Sequence, residues 1–431
     1  MTPDNVLCLL SILLIPLAFA GMCLINTGLN RSRSAAHIML SSLCAIAVAA
    51  LVYVVLGCSL VGASGQAAHA IAISGKNWDW LGAGRLFARS VTFDEDTYDH
   101  TRGNLLFLFQ LSGVCLAALI PVGSGAERWK LSAICVSTAV LAGFTYPLFA
   151  HWAWGGGWLA QLGEHYHLGR GFVDAGGAGC IQTAGGLTAL ATAWILGARH
   201  GKFTPEGIPT AMPGHNAVLV LSGCTLALAG WTGLNTAGAL LAVTGTGFGP
   251  AVLAAVNTLL CAACGALAAL ATTRIRFGKP DASLTANGWV AGLVSSSASA
   301  AFLKPASAML IGLVIGAAVV FAIEIVETKM HVDDPVGAIA VHAVGGIWGL
   351  LAVGMFADLG GASGQFLAQL VAVATLLGFV LPFSYGANLL INRFLPQRVA
   401  PGAERQGMDL FELGAGAYPE FVTHRDDFLR R

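Results

Sequence analysis

The sequence predicts an all-α polytopic membrane protein of eleven transmembrane helices, an inverted five-plus-five helix repeat plus a final helix, with the N-terminus outside and the C-terminus inside. Three observations carry this. First, 56% of the 431 residues are hydrophobic and only 10% charged, against roughly 25% charged in an average soluble protein, and one water-soluble core cannot hide that much apolar surface. Second, apolar runs of about 20 residues, long enough to cross a hydrocarbon core, recur along the chain. Third, a stretch starting at Asp174 repeats at Asp334. Fifty-five glycines fit the same picture, because small residues let membrane helices approach closely. Lys+Arg and Asp+Glu are both 22, so there is no basic excess that would favour nucleic acid. A soluble enzyme, a disordered chain and a DNA-binding module are excluded.

In chain order the apolar segments are 6–28, 36–63, 104–122, 131–151, 176–198, 215–237, 247–272, 284–302, 306–326, 336–357 and 363–392. The first begins like a signal peptide, with Ala18-Phe19-Ala20 as a cleavage-like site. No positive residue precedes it, however, and the apolar run continues to Ile25, so it reads as a transmembrane helix. With the N-terminus outside, the outer loops hold Lys76, Arg85, Arg89, Arg102, Arg170 and Lys304, and the other Lys and Arg residues fall inside. That asymmetry fixes the expected orientation. The loop 64–103, with Trp78, Trp80 and Asp94-Glu95-Asp96, reads as a solvated external cap. Residues 1–392 form the expected membrane domain, and 393–431 a cytoplasmic tail long enough to dock on the inner face. The expected site is the cell membrane.

Nine of the ten cysteines lie inside or at the ends of apolar runs and Cys180 begins another, so packing explains them. Cys261-x-x-Cys264 has no second pair and reads the same way. There is no Walker-type loop, catalytic dyad, metal cluster or cofactor motif; no cofactor is expected and the chain does not read as an enzyme.

The repeat aligns Asp174-Ala-Gly-Gly-Ala-Gly-Cys-Ile-Gln182-Thr-Ala-Gly-Gly-Leu187 with Asp334-Pro-Val-Gly-Ala-Ile-Ala-Val-His342-Ala-Val-Gly-Gly-Ile347 without a gap. An odd number of spans separates the copies, so they enter the membrane from opposite sides, as in transporters built around a central pathway. Each opens on an Asp that can accept from free backbone N–H groups at a helix start. Eight residues further in, Gln182 and His342 lie about 12 Å below their respective membrane edges, each approaching the midplane of a core about 30 Å thick. Two satisfied core residues are the plain reading; a polar pair facing across a pore is the functional one, and ionisable groups inside membranes favour it. In Trp152-Ala-Trp154-Gly-Gly-Gly-Trp158, Trp152 and Trp158 read as interface anchors. Trp154 reads equally as an anchor or as a π-face for a small cation.

The chain resembles the ammonium transporter family, with its Amt, Mep and Rh branches. The resemblance rests on Ala126-Glu127-Arg128, His151-Trp-Ala-Trp-Gly-Gly-Gly157, Phe172-Val-Asp174, Gly278-Lys-Pro280, Asn287-Gly288, Ala291-Gly-Leu-Val294, Asp333-Asp-Pro-Val-Gly337 through Gly345-Gly-Ile-Trp-Gly349, and Gly407-Met-Asp409 through Ala417-Tyr418. It implies a homotrimer with one pore per subunit and ammonium or ammonia as substrate. It also implies recruitment of the cation at an external aromatic site that includes Trp154, passage of two stacked phenylalanines, and an apolar channel lined by paired histidines. A PII-type signalling protein plugs the inner mouth of many bacterial members.

Measured against that pattern, Asp174 and Trp154 are retained and four pore positions differ. The first paired histidine is Gln182, leaving His342; the first gate phenylalanine is Gly113 and the second Leu234; the recruitment serine is Gly238. Losing the serine removes about 1 kcal/mol of net hydrogen bonding. Gly113 with Leu234 predicts a wider, wetter entrance. Gln182 does not titrate, so a His–His proton relay cannot operate. These residues point to an ammonium or methylammonium channel with changed selectivity or proton coupling. The alternatives are a non-transporting ammonium sensor acting through a separate partner, and a channel for another small solute such as carbon dioxide or an amine.

Overall fold

The structure, a computed structural model, describes residues 2–62, 68–93, 98–243, 247–361 and 363–421. The acidic run Asp94-Glu95-Asp96 lies outside the described residues. Among the described residues the main helical segments, in chain order, are α1 Pro3–Leu29, α2 Ser32–Val61, α3 Tyr98–Gly125, α4 Leu131–Trp154, α5 Ala178–Leu196, α6 Ala217–Ala242, α7 Gly249–Phe277, α8 Ala282–Ser296, α9 Pro305–Thr328, α10 Ile339–Phe356 and α11 Gln365–Phe394. Among the described residues ten helices are long and apolar enough to cross a membrane; α8, at 15 residues, is shorter. Its predicted span continued to 302. The helix instead stops in a serine cluster, where the Ser295, Ser296 and Ser297 hydroxyls donate to carbonyls three or four residues back. Such side-chain bonds compete with the helical ladder. In α1 a turn at 13–15 precedes Pro16, whose ring and missing N–H interrupt the helix.

The two repeat copies fold alike. Asp174 Oδ2 accepts from the N–H groups of Gly179 and Cys180, at 3.0 and 2.8 Å, and Asp334 Oδ2 accepts from Ile339 N–H at 2.7 Å. The aligned glycines Gly177 and Gly337 both take positive φ, +85° and +73°, a conformation that costs a side chain energy but not glycine. Each copy then opens in a π-helical turn, Ala178–Thr183 and Ile339–Val344, a form often found at functional sites. A Cβ on Gly186 would collide with the backbone of Ala343, and one on Gly346 with Thr183 and Ala178. Position 183 aligns with 343 and 186 with 346, so the contacts are reciprocal and the copies cross about a local pseudo-two-fold axis.

The loop 64–103, expected as a solvated cap, contains a two-stranded antiparallel hairpin, β1 Ala68–Ile73 and β2 Lys76–Gly82. Its two-residue turn, Ser74-Gly75, has positive φ at both positions, the geometry that matches strand twist. Trp80 stacks on Trp158 with centroids 5.7 Å apart and accepts, through its carbonyl, from Trp152 Nε1 at 2.9 Å. The tryptophans read as interface anchors therefore clamp the hairpin onto the end of α4.

On the opposite face, buried charges tie the helix ends together. Arg199, just past α5, donates to both Asp333 carboxylate oxygens, at 2.8 and 2.9 Å, and to Glu127 Oε1 at 2.9 Å. Arg31 also pairs with Glu127. The C-terminal segment folds back over this face. Arg398 donates to the carbonyls of Leu196 and Ala198, at 2.8 and 2.7 Å, where α5 ends. Asp409 accepts from the N–H groups of Ala36 and His37, and Glu412 accepts from His37 Nε2 at 2.8 Å and Leu131 N–H at 3.0 Å.

Two outcomes follow from this packing. Gly186→Val and Gly346→Val should each force α5 and α10 apart, lowering stability by about 1–3 kcal/mol; a melting temperature in detergent equal to wild type would refute the close crossing. Burial alone would push the Asp333 carboxyl up, but the Arg128 and Arg199 guanidiniums outweigh it and hold it well below the usual range. A depressed folded value means its contribution is full above the unfolded value of about 4 and is lost only as pH falls through the lower folded one. Asp333→Asn should cost about 3–5 kcal/mol at neutral pH by stranding buried arginines, read as a fall in the same melting temperature that disappears in strong acid.

Candidate functional site

The central pair lies where the two copies cross. His342 Nδ1 and Gln182 Oε1 are 2.8 Å apart, and both side chains are buried. An amide oxygen only accepts, so Nδ1 carries the proton and Nε2 of His342 is left with its lone pair. Gln182 Nε2, a double N–H donor, is buried without a partner among the described residues. The centre thus keeps an unused donor on Gln182, while the second ring nitrogen of His342 takes no part in the pair. Asp174 and Asp334 do not bond to this pair: Oδ2 of each is held by backbone N–H groups at the start of its own helix, and Oδ1 of each is buried without a partner among the described residues.

Away from the tail, a cavity of about 670 Å³ opens between α3, α4, the loop before α5 and the end of α6. Trp154, Phe109, Asp174 and Gly238 line it. Trp154 Nε1 donates to the Asp174 carbonyl at 2.7 Å, and its ring meets that of Phe109 edge-on, centroids 5.5 Å apart. One tryptophan face is thereby set by a hydrogen bond and an aromatic neighbour, the arrangement a cation–π contact requires. A Cβ on Gly238 would collide with the Ala175 carbonyl; the absence of a side chain there lets the loop before α5 lie directly on α6. That loop is held by Ala175 and Gly176 N–H groups donating to Ala298 and Ser297 carbonyls at the break after α8.

Around Gly113, one turn along α3 from Phe109, the packing is close. The wide entrance expected from Gly113 is not found: a Cβ there would stand 2.7 Å from the Tyr146 hydroxyl and 3.0 Å from Ile181 Cδ1. Tyr146, Ile181 and Leu234 are all fully buried, and Leu234 does not line the cavity. Tyr146 is pinned by donating to the Gln110 carbonyl at 3.0 Å. The missing ring at 113 is replaced in volume by side chains from α4 and the start of α5. Phe109 and Tyr146 are the residues that reading the sequence missed. Phe109-Gln110 was visible beside Gly113, but nothing in the sequence places the Tyr146 hydroxyl against α3.

The family model described as Ammonium Transporter Family matches residues 6–418. The chain is 35% identical over 424 residues to ammonium transporter Amt2 of Archaeoglobus fulgidus, covering 94% of this chain and 85% of that relative. It is 30% identical over 429 residues to an ammonium transporter of Bacillus subtilis, covering 97% and 98%. Among solved structures, a protein described as Sensor Amt Protein aligns with TM-score 0.84 and 27% identity over 95% of this chain and 98% of its own. Mep2 of Candida albicans aligns with TM-score 0.79 and 25% identity, covering 98% and 92%. The near-complete family match, together with the paired half-repeats that meet at Gln182 and His342, makes this multi-pass membrane protein a member of the ammonium transporter family.

Proposed function

We propose that this chain moves ammonia, drawn from ammonium, across the cell membrane, and that its centre accepts the neutral species without relaying a proton. The observation that carries this reading is the His342–Gln182 hydrogen bond. It leaves the Gln182 amide N–H groups and the His342 Nε2 lone pair to face a passing molecule. Ammonia satisfies both, accepting from Gln182 and donating to His342. Ammonium has no lone pair to offer Gln182, and burying its charge there costs several kcal/mol. Because an amide does not titrate, no proton passes from one side chain to the other. Trp154, beside Phe109 in the open cavity, is the recruitment site in this reading, with Gly238 in place of a hydroxyl donor.

The same reading takes residues 1–392 as the membrane domain with eleven spans and the N-terminus outside, and 393–431 as a cytoplasmic tail. The charge asymmetry of the loops supports that orientation. The family supports a homotrimer in the bilayer and a PII-type protein as a possible partner of the tail-bearing face.

A second reading, a non-transporting ammonium sensor, is favoured by two features. Buried Tyr146 and Ile181 fill the path below Trp154, and the overall likeness to the protein described as a sensor is high.

An ammonium pulse to proteoliposomes separates the readings. Internal alkalinisation without current is the expected result, and His342→Ala should slow it about tenfold, as the orphaned buried acceptor Gln182 Oε1 costs ~1–3 kcal/mol. A wild-type ammonium current that His342→Ala abolishes would overturn the neutral centre. Silence in both channels, with ammonium still bound in calorimetry, would select the sensor. Gln182→His restores a titratable pair and should add a pH-dependent current absent from wild type; an unchanged pH profile would count against this pair as the coupling element.

A further inference from the structure

The cavity above Trp154 carries a feature that cation recruitment does not call for. Two arginines border it, Arg102 from the first turns of α3 and Arg170 from the loop before α5. The Arg102 guanidinium donates to the carbonyls of Leu240 and Leu241 at the end of α6. The Arg170 guanidinium lies on another side, 3.9 Å from where a Cβ of Gly360 would stand, and Arg170 itself is exposed. Neither forms an ion pair among the described residues. The one carboxylate lining the cavity, Asp174, has an oxygen held by two backbone N–H groups. His100 lines the same mouth. The described lining therefore carries two guanidiniums against one carboxylate, that of Asp174, a net excess of positive charge.

We propose that Arg102 and Arg170 form an electrostatic barrier at the mouth that disfavours cations relative to neutral molecules, so that ammonium reaches Trp154 against the local field. The consequence for function rests on Trp154 being the recruitment site, but the field itself does not. Charges lining a low-dielectric cleft focus their potential, and the Debye length is about 10 Å at 0.1 M salt. The barrier therefore acts at low ionic strength and fades as salt rises. Each guanidinium should change the local cation concentration about two- to fivefold at low salt. The competing source is the acidic run Asp94-Glu95-Asp96, upstream of α3 in sequence, which would reverse the sign if it dominated.

The test reads the potential directly, without ammonium. Ala242, exposed at the cavity wall, is changed to Cys in the full chain. Its modification by a cationic and an anionic methanethiosulfonate is then timed at 10 mM and 300 mM salt, each rate normalised to a free thiol and corrected for the parent protein. The anionic reagent should react about fivefold faster or more at low salt, with the preference collapsing at high salt. Arg170→Gln, at an exposed site, and Arg102→Gln should each reduce the preference at least twofold. A faster cationic reagent, or a preference untouched by Arg170→Gln, would overturn the barrier. If the field is as proposed, Arg170→Gln also lowers the half-saturating ammonium concentration in the transport or binding assay two- to fivefold at low salt. A missing ammonium response alongside an intact reagent preference would instead sink Trp154 as the recruitment site and leave the barrier standing.

Discussion

Inside a membrane an interrupted helix must still satisfy its backbone, because no water is available to do it. The architecture of this protein depends on how that demand is met at two places. At Asp174 and Asp334 the chain turns through a positive-φ glycine and starts a helix deep in the protein, and one carboxylate oxygen takes up the exposed N–H groups. The break after α8 completes the arrangement, since its Ser297 and Ala298 carbonyls receive the N–H groups of Gly176 and Ala175. With these ends satisfied, glycines 186 and 346 bring α5 and α10 into reciprocal contact. Gln182 and His342 meet at this close crossing.

Seen from the mouth inward, the protein presents three layers of different chemistry. The outermost is an open cavity with an oriented tryptophan and two guanidiniums. Below it lies an apolar plug in which a tyrosine and an isoleucine occupy the volume beside Gly113. At the centre a histidine and a glutamine share one hydrogen bond, and the glutamine keeps a donor spare. For a positive charge the outer layer offers the tryptophan ring, worth about 0.5–2 kcal/mol, and the Asp174 carboxylate, set against two guanidiniums.

Much of this was legible in the sequence because membrane helices announce themselves by length and apolarity, and because the repeat aligned without a gap. The pairing of Gln182 with His342 came from counting residues along two helices. The end of α8 was read too far because near-neutral serines among alanines and a phenylalanine do not interrupt a hydropathy run, while their hydroxyls pull carbonyls out of the ladder. The hairpin was read as a cap because its alternation is short and its partners, Trp152 and Trp158, lie some 70 residues away. The plug at Gly113 was missed for a related reason. A glycine signals missing volume, and only the packed helices reveal that Tyr146 and Ile181 have moved into it.

The tail that folds over the charged face joins points remote in the chain. Trp129 to Gln397 spans 268 positions, His37 to Asp409 spans 372, and His37 to Glu412 spans 375. Such contacts close only after the helices that carry His37, Trp129 and the end of α5 already stand side by side. The tail's resistance to a protease is thus a reporter of assembly: it requires that the ends of α2, α4 and α5 beneath it already stand together.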